Sequence, residues 1–113
     1  MALVKLVNLT GHPLTITDGS KIVTLPSDGR ARVDSKKKKA RRIIFSGLEI
    51  EIINVYRSEI TGLPDPQEGV IYVVSGIVAD TADREDVVAP GGLIRDNGNG
   101  RVKGCRNFVR VVK

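Results

Sequence analysis

Aromatic residues are scarce: the 113-residue chain has no Trp, two Phe and two Tyr. Proteins that bind single-stranded nucleic acid usually stack bases on aromatic side chains, so that mode is disfavoured at the outset. Cys105 and His12 are the sole members of their types. A disulfide within one chain is therefore excluded, as is a structural zinc site of about four Cys or His ligands within one subunit. Apolar runs such as Gly69–Ser75 fall far short of the roughly 20 residues needed to span a bilayer. Met1–Lys5 lacks a signal-peptide layout. The expectation is a soluble, cytoplasmic protein with no membrane partner and no cofactor.

What the chain does have is a balance typical of a globular unit, with 41% hydrophobic and 27% charged residues and a mean hydropathy of -0.06. One domain over residues 1–113 is expected, large enough to bury about two-thirds of its unfolded surface. The net charge of +5 is unevenly spread. Residues 1–29 balance, with Lys5 and Lys21 against Asp18 and Asp28. Residues 30–42 hold eight basic groups against Asp34, residues 43–100 hold three against ten acids, and residues 101–113 hold five with no acid. Positive charge thus belongs to one segment and one tail.

Val and Ile number 15 and 11, a branched-aliphatic composition that favours strands. Leu3–Leu9 reads as a strand closed by Thr10-Gly-His-Pro13. Leu14–Thr17 alternates with period two, Asp18-Gly19 signals a hairpin, and Ile22–Leu25 returns. Pro26-Ser-Asp-Gly29 turns again, and Ala31–Val33 leads into the lysine run. Arg42–Tyr56 is the longest β-prone stretch, broken at Ser46-Gly47, with the Ile52-Ile53 doublet predicting a bulge or a change of buried face. Val70–Val74 reads as a strand covered on both faces. Ser75 can cap a helix carried by Ile77, Val78, Thr81 and Ala82 to about Asp86 and ended by Pro90-Gly-Gly92. Residues after Leu93 read as a closing hairpin around Asn97–Gly100. The predicted fold is mainly β, a small barrel or rolled antiparallel sheet, with one short helix near 76–86.

No nucleophile elbow, paired-His motif or phosphate loop is present, so no reaction is indicated. Two constellations stand out. Residues 34–42 read as a flexible basic loop in which Lys36, Lys37, Lys38, Lys39, Arg41 and Arg42 could grip nucleic-acid phosphates; the plainer alternative is a solvated, self-repelling hairpin loop. The other set is Asn8, Thr10, His12, Arg84, Asp86, Arg95 and Asp96, a candidate ligand site. His12, beside Pro13 in a turn, could act as a general base or contact a ligand; the plainer alternative is a merely polar turn residue. Arg84 and Arg95, if brought together at a barrel mouth, would suit a phosphorylated or carboxylated ligand. The plainer alternatives are an Asp80–Arg84 pair on the helix surface and pairing of the two arginines with Asp86 and Asp96. Cys105, between Gly104 and Arg106, reads as a buried small hydrophobe.

These segments together resemble a family of short, mostly uncharacterised proteins of bacteriophages and prophages. The resemblance rests on Val7-Asn-Leu-Thr-Gly-His-Pro-Leu14, Pro26-Ser-Asp-Gly29 with Ala31-Arg-Val33, Thr61-Gly-Leu-Pro64, Tyr72-Val-Val-Ser75 with Val78-Ala79, Arg84 with Asp86, Pro90-Gly91, Arg95-Asp96 and Gly104-Cys105. It spans nearly the whole chain except the lysine insertion, and Gly11 stands where the family commonly has Pro. It implies a non-enzymatic accessory protein acting in the host cytoplasm, binding a nucleotide-like small molecule or a host protein, as in counter-defence. Two alternatives from other classes are a nucleic-acid-binding protein using the basic loop and a virion structural or assembly component. Strand edges exposed in so small a β domain predict a homo-oligomer.

Overall fold

The computed structural model describes residues 3–95 and 98–112. The protein is mainly β. Its elements are β1 (Lys5–Asn8), β2 (Leu14–Thr17), β3 (Ile22–Leu25), β4 (Arg32–Phe45), β5 (Leu48–Thr61), β6 (Val70–Val73), α1 (Gly76–Thr81), β7 (Val87–Gly91), β8 (Ile94–Arg95), β9 (Val102–Gly104) and β10 (Asn107–Val109). No helix among the described residues is long and apolar enough to cross a membrane.

The centre is a four-stranded sheet in the order β1-β6-β7-β10. β1 and β7 both run parallel to β6, and β10 closes the sheet antiparallel to β7. The remaining strands form two-stranded antiparallel ribbons: β2-β3, β4-β5 and β8-β9. The sheets do not close into a barrel, which corrects that alternative of the predicted fold. Pro90-Gly91, expected to end the helix, instead completes β7. The helix stops at Thr81 rather than near Asp86, because Ala82 is already extended (φ -73°, ψ 131°) and buried. Packing of Ala82 and pairing of Val87 with Tyr72 outweigh the helical spacing that the sequence carries. Arg84 therefore lies beyond the helix, and the helical i, i+4 geometry expected of Asp80 and Arg84 is not formed.

Strand alternation sends the side chains of the central sheet to two cores. On one face Leu9, Tyr72, Val74, Val87 and Ala89 pack with Val78, Ala79 and Ala82 from α1 and its end. On the other Val73 and Val88 pack with Leu14 of β2 and with Cys105. β6 is covered on both sides, as its uninterrupted apolar run predicts. Cys105 is fully buried, bonds through its N–H to Thr15 O at 2.9 Å, and has a thiol pushed up by that burial. It behaves as the small hydrophobe expected.

The largest departure is the basic segment. It is not a loop: Asp34 to Arg42 lie within β4, paired with β5 from Arg32↔Thr61 to Phe45↔Leu48. Ser46 (φ 50°) and Gly47 (φ 78°) both take the positive φ that a two-residue type I′ hairpin requires. Only the root of this ribbon joins the core, through Val33 and Ile60. The rest projects as an arm of roughly 40 Å at about 3.4 Å per residue. The molecule measures 57 × 39 × 24 Å with a radius of gyration of 17.9 Å, against about 13 Å expected for a compact chain of this length.

Candidate functional site

Because β1, β6 and β7 are mutually parallel, their carboxyl ends lie along one edge of the sheet. In open α/β sheets ligands characteristically occupy the crevice outside such ends. A cleft of about 260 Å³ lies here, lined by Thr10, His12, Leu14, Ser75, Gly76, Pro90, Leu93 and Val102. Thr10 and His12 follow β1, Ser75 and Gly76 follow β6, and Pro90 and Leu93 bracket the end of β7. The walls are mainly apolar, and among the described residues the lining contains no carboxylate, Lys or Arg.

The loop after β1 is held by Asn8, which is fully buried. Its Nδ2 donates to His12 O at 2.9 Å and to Leu25 O at 3.1 Å. Its Oδ1 accepts from Thr10 N at 3.1 Å and from the Thr10 hydroxyl at 2.6 Å. All four hydrogen-bonding positions of the amide are thereby used. The backbone N–H of Asn8 donates to Asp28 Oδ2 at 3.1 Å, and Asp28 N donates back to Asn8 O at 2.8 Å. Asn8 therefore builds the cleft wall and has no capacity left for a ligand. The exposed His12 ring has Nδ1 at 3.3 Å from Pro13 O, and Nε2 makes no hydrogen bond among the described residues. Ser75 occupies the N-cap position of α1 without a capping side-chain bond.

Arg84 is engaged elsewhere. Its Nε and Nη2 donate to the two oxygens of Asp86 at 3.0 and 2.7 Å, and its Nη1 donates to Pro64 O at 2.9 Å. Its guanidinium lies 5.7 Å from the Tyr72 ring centroid, within cation–π range. The hydrogen bonds to Arg84 hold the Asp86 carboxyl below its ordinary range against the opposing effect of burial; the same bonds hold Arg84 above its own. The expected Arg84–Asp86 pairing is thus formed, and it fastens the chain after α1 to the 62–69 loop. Arg84 also borders a second cleft of about 250 Å³ with Asp83, Glu85, Arg110, Val111 and Val112. Arg110 there donates to Glu85 O at 2.8 Å. Arg95 on β8 donates to Gly100 O at 3.0 Å and lines neither cleft. Asp96 lies outside the described residues.

No family profile, curated protein or solved structure matches this chain.

Of the candidate ligand set, the cleft brings together Thr10 and His12, with Asn8 behind them. Reading the sequence missed Ser75, Gly76, Pro90, Leu93 and Val102 as neighbours. Ser75 and Pro90 read as helix punctuation and as parts of the resemblance, and their convergence depends on parallel strand order, for which the sequence carries no local signal.

On the arm, directly opposed residues share a face. Lys36, Lys38 and Arg41 oppose Tyr56, Asn54 and Ile52 on one face; Lys37, Lys39 and Arg42 oppose Val55, Ile53 and Glu51 on the other. Ala40 is the extra residue of a bulge between Lys39↔Ile53 and Arg41↔Ile52, so the doublet Ile52-Ile53 marks the bulge on the facing strand. A second irregularity lies between Val33 and Ser35. Lys39 approaches Glu51 at 3.8 Å and Arg42 approaches Glu49 at 3.5 Å, ion pairs confined to the second face. Among the described residues, Lys36, Lys38 and Arg41 form no ion pair.

Proposed function

We propose that the protein is a non-enzymatic small-molecule-binding module of the phage accessory kind, with its ligand in the cleft at the carboxyl ends of β1, β6 and β7. The observation that supports this reading is the convergence of three parallel strand ends on one mainly apolar crevice. The wall chemistry selects the ligand: apolar surface with two hydroxyls and an imidazole, and no fixed charge among the described residues, suits a neutral planar group such as a nucleobase or nucleoside. Phosphates of a nucleotide would lie outside the cleft, toward solvent. Among the described residues His12 is the one titratable side chain in the lining, without a carboxylate beside it, which favours binding over acid–base catalysis.

Gly76 supplies the test. A Cβ added there meets nothing within 4 Å, so Gly76→Leu can enter the cleft from its wall without a clash at the Cβ. Thermal-shift titration of the unmodified protein with a nucleobase and nucleoside panel is expected to raise Tm, with a shift that grows with the logarithm of ligand concentration above Kd. Gly76→Leu is expected to abolish the rise while leaving the unliganded Tm unchanged or higher. A ligand-induced shift that survives Gly76→Leu would remove the cleft from the account.

One observation favours a second reading, binding of duplex nucleic acid by the arm. Lys36, Lys38 and Arg41 share the face without ion pairs, and a two-stranded ribbon fits the major groove. Three phosphate contacts predict a log-affinity against log-salt slope of about -2.7. A slope near zero would dismiss it.

A further inference from the structure

The two long edges of the arm differ chemically. The β4 edge carries Lys36 to Lys39, Arg41 and Arg42, so two copies meeting along it would set like charges against each other, which is destabilising. Natural proteins use lysines in this way to keep an exposed edge from pairing. The β5 edge lacks that protection. From Leu48 to Tyr56 its only charges are Glu49 and Glu51, both already within reach of Arg42 and Lys39 on the neighbouring strand. Among the described residues no strand pairs with the outer edge of β5. Ile50, Ile53, Val55 and Tyr56 along it are 40, 50, 54 and 52% exposed. An isolated two-stranded ribbon is marginal in water, and a third strand or a packed face is the usual remedy.

We infer that the occupant of this edge is a second copy of the chain, paired antiparallel through β5 to give a four-stranded sheet in the order β4-β5-β5-β4. The sequence of β5 is self-complementary for such a pairing. With the two-fold axis at Ile52, Leu48 faces the partner's Tyr56, Ile50 faces the partner's Asn54, and Glu51 faces the partner's Ile53. No like charges oppose, and every pair keeps the alternation that β5 already has with β4. The lysine strands then lie on the two outer edges, where they stop further addition and close the assembly at two copies. Lys36, Lys38 and Arg41 of both copies fall on one face of the new sheet. This inference is independent of the cleft.

Sedimentation velocity over a concentration series tests it, with circular dichroism confirming that each variant is folded. The unmodified protein is expected to dimerise. Ile53→Lys with Val55→Lys gives the β5 edge the protection of β4, and the dimer is expected to weaken by at least about tenfold. Both positions are half exposed, so the fold should persist; Val55→Lys alone serves if the double variant does not fold. Ile44→Lys, on the β4 side and 75% exposed, is expected to leave the dimer intact. Loss of the dimer in Ile44→Lys would mean that the ribbons stack face to face, overturning edge pairing. A monomer at every concentration overturns the inference, as does a chain that pairs only when a DNA duplex is added.

Discussion

Asn8→Asp is the most discriminating perturbation of the scaffold. It keeps size and shape while replacing the two Nδ2 donors by an oxygen facing His12 O and Leu25 O, at the 2.9 and 3.1 Å separations that now hold hydrogen bonds. His12 O keeps the Thr10 hydroxyl at 3.0 Å, so the unreplaced loss is chiefly the donor to Leu25 O, about 1–3 kcal/mol. That is an appreciable share of the 5–15 kcal/mol typical of whole domains. A carboxylate in this fully buried position, facing two carbonyls, is driven to stay protonated, which raises its folded-state pKa above the unfolded value of about 3.9. A group with a raised folded pKa binds more protons in the native state, so its deficit grows as pH rises. The slope is about 1.4 kcal/mol per pH unit, starting near pH 4 and continuing up to the folded pKa. Urea unfolding of both proteins at pH 4.5, 5.5 and 6.5 should show the gap widening by roughly that amount per unit. A small, pH-independent loss of under about 1 kcal/mol would refute the reasoning, because it would mean that the amide donors are not what holds the loop.

Other expected outcomes follow from single contacts. Gly62 has φ 80°, and a Cβ there would collide with the Arg30 carbonyl oxygen, so Gly62→Ala should destabilise by at least about 2 kcal/mol in urea unfolding. Asp86→Asn breaks the partly buried pair with Arg84 and should cost about 1–3 kcal/mol at pH 7. The Asp86 carboxyl is depressed in the folded state, so its contribution is present above pH 4 and fades as pH falls through the folded pKa; the variant and the parent should therefore converge in acid. Asp18 accepts bonds from Ser20 N and Oγ at 2.8 Å each and from Lys21 N at 3.0 Å, which pull its carboxyl down to about 2. An NMR titration should find its midpoint there, and a midpoint at an ordinary carboxylate value would mean that the β2–β3 turn is not formed as described.

The parts of the fold legible in the sequence are those set by local alternation and turn chemistry. Leu14–Thr17 and Ile22–Leu25 pair across the four-residue loop 18–21, where the alternating pattern agrees with a turn closed by the Asp18 carboxylate and Gly19. The break at Ser46-Gly47 is the tip of the arm, and Val70–Val73 is a doubly covered strand for the reason its apolar run gives. Long-range pairing was not legible. The lysine run reads as a loop because like charges repel, yet within β4 the residues alternate between faces opposite an Ile- and Val-rich partner, which spreads the repulsion and supplies the ladder. Pro90 reads as a helix terminator, but the last β7 position before Gly91 tolerates it beside antiparallel β10. Asn8 enters the candidate ligand set with the Val7–Leu14 segment; its full burial within four side-chain bonds makes it the support of the cleft instead. Arg84, similarly, is a structural clamp on Asp86 and Pro64.

The claim that a small neutral ligand occupies the crevice beyond β1, β6 and β7 is tested most directly by amide chemical-shift mapping during titration with nucleosides. Saturable shifts centred on Thr10, His12, Ser75, Gly76 and Leu93, with Arg84 and the arm unchanged, are the predicted result. Shifts centred on Arg84 and Arg110, or on Lys36 to Arg42, or no saturable shift anywhere, would contradict it.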